Sequence, residues 1–254
     1  MFKVYKFQQM KPLLFPTGIV LLFLLITAII IYVFHGLMSQ SAVAEMWRPE
    51  QKSYTLIVDA GHGGLDGGAV AADGTRESDL NLEIAQRMEG IAGLCGIPAV
   101  MTRQSNELNY PDNSLTIHQK KVWDQRNRLE LIQSIRNGIL VSIHQNTFPD
   151  TRPNGTEVLY AKTNGSRELA ELTHSELIRC LNPDNRRVAM PISDSIYLMK
   201  QVKCMAILIE CGFLSNINDA DHLKTADYQK RLAVTIMGSY LQYLSFISET
   251  EVNQ

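Results

Sequence analysis

Between Tyr54 and Leu244, short and wholly apolar runs alternate with segments of helical period, and that alternation admits few folds. YTLIVDA (54–60), IPAVMT (97–102), ILVSI (139–143) and MAILI (205–209) are strand-like. GTEVLYA (155–161) is mixed enough to lie nearer an edge, and the brief apolar run 196–199 is also read as a strand. Leu80, Ile84, Met88, Ile91 and Cys95 recur at helical spacing. Helices are also predicted over 119–136, 167–181 and 228–244, the last with Ala233, Met237, Tyr240 and Leu244 on one face. Strands that are apolar on both faces must be covered on both faces. The prediction is an α/β fold: a single domain with a central, mostly parallel sheet covered by helices on both faces.

The start of the chain obeys another rule. Residues 13–34 hold no charge, and as a helix they would span ~33 Å at ~1.5 Å per residue, enough for a bilayer's hydrocarbon core. Lys3, Lys6 and Lys11 precede the run, while Glu45, Arg48 and Glu50 follow it. Basic residues stay on the cytoplasmic side, so the rest of the chain is expected outside. Two readings stay open. The run is long for a signal peptide, which favours an uncleaved, single-pass transmembrane helix in the cytoplasmic membrane. Ala42-Val43-Ala44 nevertheless has the form of a cleavage site, after which the domain would be exported. The expected layout is a cytoplasmic N-terminus (1–12), an anchor or signal sequence (13–35), a linker (36–53), the α/β domain (54–248) and a tail (249–254).

A net charge of −2 leaves no basic footprint, so nucleic acid is not an expected partner. The four cysteines, Cys95, Cys180, Cys204 and Cys211, show no CxxC spacing, and all lie in or beside apolar stretches. They are read as small buried hydrophobes.

Polar residues interrupt this pattern where an α/β sheet builds its sites, at the carboxyl ends of strands. His62 follows the first strand in DAGHGG, His144 follows a central one in SIHQN, and Glu210 follows another in LIECG. Glu77 stands just before the first helix, with Ser78 as its expected N-cap. A lone histidine at a strand end is more often structural than ligating; several such groups converging on one sheet edge reverse that preference. Two imidazoles and a carboxylate suit catalytic zinc, which keeps a fourth position open. A further carboxylate, not bound to metal, is then needed to move a proton.

The ordered set DAGHGGLDGG, Glu77 before LNLEIA, SIHQN and LIECGFLSN resembles the zinc-dependent N-acetylmuramoyl-L-alanine amidase family, over roughly 54–244. The resemblance implies Zn2+ held by His62, Glu77 and His144, with Glu210 as the catalytic acid/base. It implies peptidoglycan as substrate, cut between N-acetylmuramic acid and the L-alanine of the stem peptide. The membrane segment on a bare catalytic domain is similar to amidases of sporulation and germination that act on spore cortex. An activating protein partner suits such a domain. Some family members carry an inhibitory helix between the 167–181 helix and the Glu210 strand; the segment here is too short for one. Two competing readings are a zinc peptidase cutting within the stem peptide and a non-catalytic wall-binding protein.

Other residues are read more plainly. Asp59 and Asp66 shape the first loop, and His118, His174 and His222 occupy solvated positions. Arg103 and Arg126 ion-pair within the fold, while Asn146 and Asn216 orient ligands through hydrogen bonds. Gln145 stands where the family commonly has a small residue and is expected at the groove's rim. Met205 replaces a frequent proline.

Overall fold

The computed structural model describes residues 17–46, 53–112 and 114–252. Two units are present, 1–51 and 52–254. In the first, helix α1 runs Thr17–Met46, and its described side chains between Leu21 and Phe34 are almost all exposed. Among the described residues no helix is long and apolar enough to cross a membrane. The anchor expected over 13–35 lies partly outside them, as residues 13–16 are not described.

The second unit is the α/β domain. Its strands are β1 (Thr55–Ala60), β2 (Ala99–Met101), β3 (Gly138–Asn146), β4 (Glu157–Tyr160), β5 (Met190–Pro191) and β6 (Met205–Phe213). The helices are α2 (Glu77–Leu94), α3 (Ile117–Ser134), α4 (Ser166–Leu181), α5 (Tyr197–Gln201), α6 (Ile217–Leu223) and α7 (Ala226–Val252). The sheet order is β2-β1-β3-β6-β4-β5. The first four strands are parallel; β4 runs antiparallel to β6, and β5 pairs parallel with β4. The expected mostly parallel sheet is present.

Alternate strand residues feed two separate cores. Leu56, Val58, Val141, Ile143, Ile207 and Ile209 pack with Ile84, Met88, Leu169, Leu177 and Tyr240 of α2, α4 and α7. Ile57, Leu140, Ala206 and Leu208 pack with Ile132, Leu198 and Met199 of α3 and α5. Each fully buried Leu or Ile contributes about 1.5–3 kcal/mol, which fixes the register of every central strand. The α3/α5 cover is shorter, and by parity Asp59, Ser142, His144 and Glu210 lie on that same face. From β1 the chain goes to β2 on one side, then crosses back to β3 on the other. That reversal opens a crevice at the carboxyl ends of β1 and β3.

Several expectations change. The run 196–199 is not a strand: helix α5 covers Tyr197–Gln201, with Leu198 and Met199 turned into the α3-side core. Four apolar residues have no period long enough to separate helix from strand. Ser78 does not cap α2; Glu77 opens the helix, and Ser78 is buried within its first turn. The positive end of the helix accommodates Glu77 and Asp79 there. Helix α3 starts two residues early because Thr116 and Gln119 form a capping box, with bonds of 3.3 Å and 2.9 Å. Strands β3 and β6 extend through His144 and Glu210, which are therefore strand residues rather than loop residues.

Candidate metal centre

His62, Glu77 and His144 come from a loop, a helix start and a strand, yet three of their donor atoms lie within 4.8 Å of one another. His62 Nε2 is 3.3 Å from Glu77 Oε1, and His144 Nδ1 is 3.0 Å from the same oxygen. Ligands about 2.0–2.1 Å from a tetrahedral zinc stand roughly 3.3 Å apart, so the donor set fits that ion in type and spacing.

Each donor is fixed from behind. Glu77 Oε2 accepts from Ala69 N at 2.8 Å, while Oε1 accepts from Gln145 N at 3.0 Å. Burial would raise the Glu77 pKa, but His144 and His62 outweigh it and hold the carboxyl far below its usual range. His62 has φ 60°, a left-handed conformation uncommon outside glycine and often kept at functional sites. Its Nδ1 is ion-paired with Asp66 Oδ2 at 3.0 Å, and Lys121 Nζ pairs with the same oxygen at 3.0 Å. Burial opposes charge on His62, but Asp66 and Glu77 outweigh it and push its pKa up to about 9.

Space around the imidazoles comes from glycine. A Cβ on Gly61 would lie 2.3 Å from His144 Cε1 and Nε2, and one on Gly68 (φ +68°) 2.4 Å from Glu77 Oε2. Gly61→Ala is therefore expected to swing the His144 ring aside while the fold survives. Zinc titration should show affinity falling more than about tenfold, with little change in the melting temperature of the metal-free protein. Unaltered zinc binding would contradict this close approach.

Glu210 faces His144 in register across β3 and β6 and lines the same cleft, about 630 Å³ in volume. Its Oε2 is buried with no hydrogen-bond partner among the described residues. Burial chiefly, aided by Glu77 and Glu157, pushes its pKa up to about 7 against the pull of the histidines. The cleft walls come from α3, with His118, Lys121 and Val122, and from the α5 segment, with Ile196, Tyr197 and Met199.

The arrangement sets three possible metal donors beside a buried, unpaired carboxylate. The family model described as N-acetylmuramoyl-L-alanine amidase matches residues 56–239. The chain belongs to the N-acetylmuramoyl-L-alanine amidase family. It is 31% identical over 224 residues to the germination-specific N-acetylmuramoyl-L-alanine amidase of Bacillus subtilis (strain 168), covering 88% of this chain and 93% of that one. The CwlD amidase from Clostridioides difficile, solved in complex with the GerS lipoprotein, is similar with TM-score 0.73 and 36% identity, over 76% of this chain and 100% of that one. The AmiC2 amidase of Nostoc punctiforme gives TM-score 0.65 and 26% identity, over 77% and 99%. As a member of this amidase family, the chain is a hydrolase of the bond between N-acetylmuramic acid and L-alanine.

Other assignments shift. On α3 it is the buried Arg128 that ion-pairs with Asp59, whereas Arg126 is exposed. Arg103 uses its guanidinium on the carbonyls of Ala60, Gly61 and Ser78. Asp59 is a buried strand residue bound to Arg128, Ser142 and Thr102, not a loop shaper. Asp66 holds His62 directly. His174 is buried, whereas His118 and His222 are exposed. Asn146 bonds Glu157, and Asn216 caps α6 rather than orienting a ligand. Only Cys211 is fully buried; Cys95 is exposed and no disulfide forms among the described residues. Gln145 is not on the rim but buried on the opposite face of β3.

Proposed function

We propose that this amidase is zinc-dependent, with His62, Glu77 and His144 as ligands and Glu210 as the proton carrier. The observation that carries the reading is the convergence of His62 Nε2, Glu77 Oε1 and His144 Nδ1 beside a buried carboxylate left unpaired in the same cleft. Zinc, when bound, supplies Lewis-acid polarisation of the substrate carbonyl and acidifies water. Glu210, its charged form disfavoured by burial, takes the proton from the attacking water and delivers it to the departing L-alanine nitrogen. Residues of α3 and of the α5 segment form the walls of the cleft in which the substrate amide would be positioned.

The finer biological reading is also ours: a role on spore cortex peptidoglycan, with a protein partner, tethered outside the cytoplasmic membrane by residues 13–35. It is supported by the germination-specific relative, by the structure of CwlD with a lipoprotein and by the uncharged run 13–34 preceded by Lys3, Lys6 and Lys11. A peptidase cutting within the stem peptide and a non-catalytic wall binder have no observation in their favour.

Digestion of vegetative and cortex peptidoglycan separates these readings. Mass spectrometry is expected to find released stem peptides beginning with a free L-alanine amine, removed by chelation and restored by zinc. Fragments cut elsewhere in the stem would overturn the bond assignment; activity indifferent to chelation would overturn the metal.

A further inference from the structure

On the far side of β3 from the cleft, a buried amide pair stands directly behind Glu77. Asn81 and Gln145 are 0% and 3% exposed. Asn81 Nδ2 donates to Gly61 O at 3.1 Å and to Glu77 Oε1 at 3.3 Å. Both are acceptors only, so the amide of Asn81 must present its NH2 to them and its Oδ1 away. Gln145 Nε2 donates to that Oδ1 at 3.1 Å. The orientation of each amide is thereby dictated by the next, ending on the carboxylate. Gln145 also reaches Glu77 through its own backbone N–H at 3.0 Å. Its remaining atom, Oε1, is buried without a hydrogen-bond partner among the described residues.

We propose that Gln145 is a positioning residue for the metal centre: through Asn81 it fixes the rotamer of Glu77 and the Gly61 turn, and so sets zinc affinity. Asn81 joins two parts of the centre at once, the ligand Glu77 and the carbonyl just before His62. Without the bond from Gln145 the Asn81 Oδ1 is left buried and unpaired, and the side chain loses the contact that braces its NH2 against Gly61 O and Glu77. Neither residue is among those that line the cleft, and Gln145 lies on the opposite face of β3. The inference rests on the zinc reading above.

The test uses the full chain and zinc itself. Gln145→Met keeps the volume and removes the donor, whereas Asn81→Ala removes the link. Zinc Kd is measured by competition with a chromogenic chelator, beside the melting temperature of each metal-free protein. Kd is expected to rise about tenfold for Gln145→Met and up to about a hundredfold for Asn81→Ala. The double variant should be no weaker than Asn81→Ala alone, because Gln145 acts through Asn81. At saturating zinc, kcat should fall far less than Kd rises. A Gln145→Met protein that binds zinc like its parent, even if less stable, overturns the inference while leaving the zinc reading intact. A parent that binds no stoichiometric zinc overturns both.

Discussion

Glu210→Gln is expected to lower kcat by about a thousandfold while zinc still binds one to one. The amide has nearly the carboxyl's shape, so β6 and its register with β3 at His144 are kept. What it lacks is the capacity to accept a proton and return it to the leaving nitrogen. In the parent, burial pushes Glu210 up to about 7, and a dication in the triad would pull that value down. The sign is set by its role: a protonated Glu210 cannot act as base, so activity falls as pH drops through this pKa. Residual activity of the variant should lack that acidic limb. Steady-state rates from pH 5 to 8, with zinc measured in the same samples, decide the matter. A variant that keeps the parental rate with zinc bound would remove Glu210 from the chemistry.

The fold and three of the four candidate groups stand out in the sequence for one shared reason, that polar groups interrupt the ends of apolar strands; Glu77, at a helix start, carries no such signal. His62, His144 and Glu210 each break an apolar run, and a polar group there is unfavourable without a use. What could not be read was whatever depends on which face a side chain takes. Once β3 and β6 extend further than their apolar runs, parity sends His144 and Glu210 into the cleft and Gln145 and Cys211 behind it. Gln145 therefore lies away from the rim where it was expected. Arg126 and Arg128 sit two apart on one helix, and only the packed register shows that Arg128 points inward to Asp59. The capping box at Thr116 and Gln119 was visible as T-x-x-Q and could have corrected the start of α3. Residues 196–199 offered no such signal, being too short to show a period.

The second large effect lies beneath the metal loop. Arg128→Met is expected to destabilise the domain by about 3–5 kcal/mol at neutral pH, because it strands a buried charge. Arg128 is 5% and Asp59 1% exposed, and Nη1 meets Oδ1 at 2.8 Å. The same guanidinium donates to Asp124 at 2.9 Å, to Ala60 O at 2.6 Å and to His62 O. Burial alone would raise the Asp59 pKa; Arg128 first, then His144, Ser142 and Thr102, bring it down to about 2. Since that lies below its value in an unfolded chain, the carboxylate stabilises the fold above about pH 4, and this is lost as pH falls toward 2. In the variant burial dominates and the pKa rises above its ordinary value. The deficit should then be largest near pH 7 and shrink on acidification, as Asp59 takes up a proton. Thermal melts should show a drop of roughly 10 °C at pH 7. Asp59→Asn in the same chain should recover much of it, since a neutral amide can still bond Ser142 and Thr102. A deficit that is small, or the same at pH 7 and pH 5, would mean that the pair does not carry this load. Because Arg128 also grips the carbonyls of Ala60 and His62, the stranded-charge variant should bind zinc more weakly than its stability alone implies. The ion pair under the sheet end and the ligand above it are two ends of one bonded assembly.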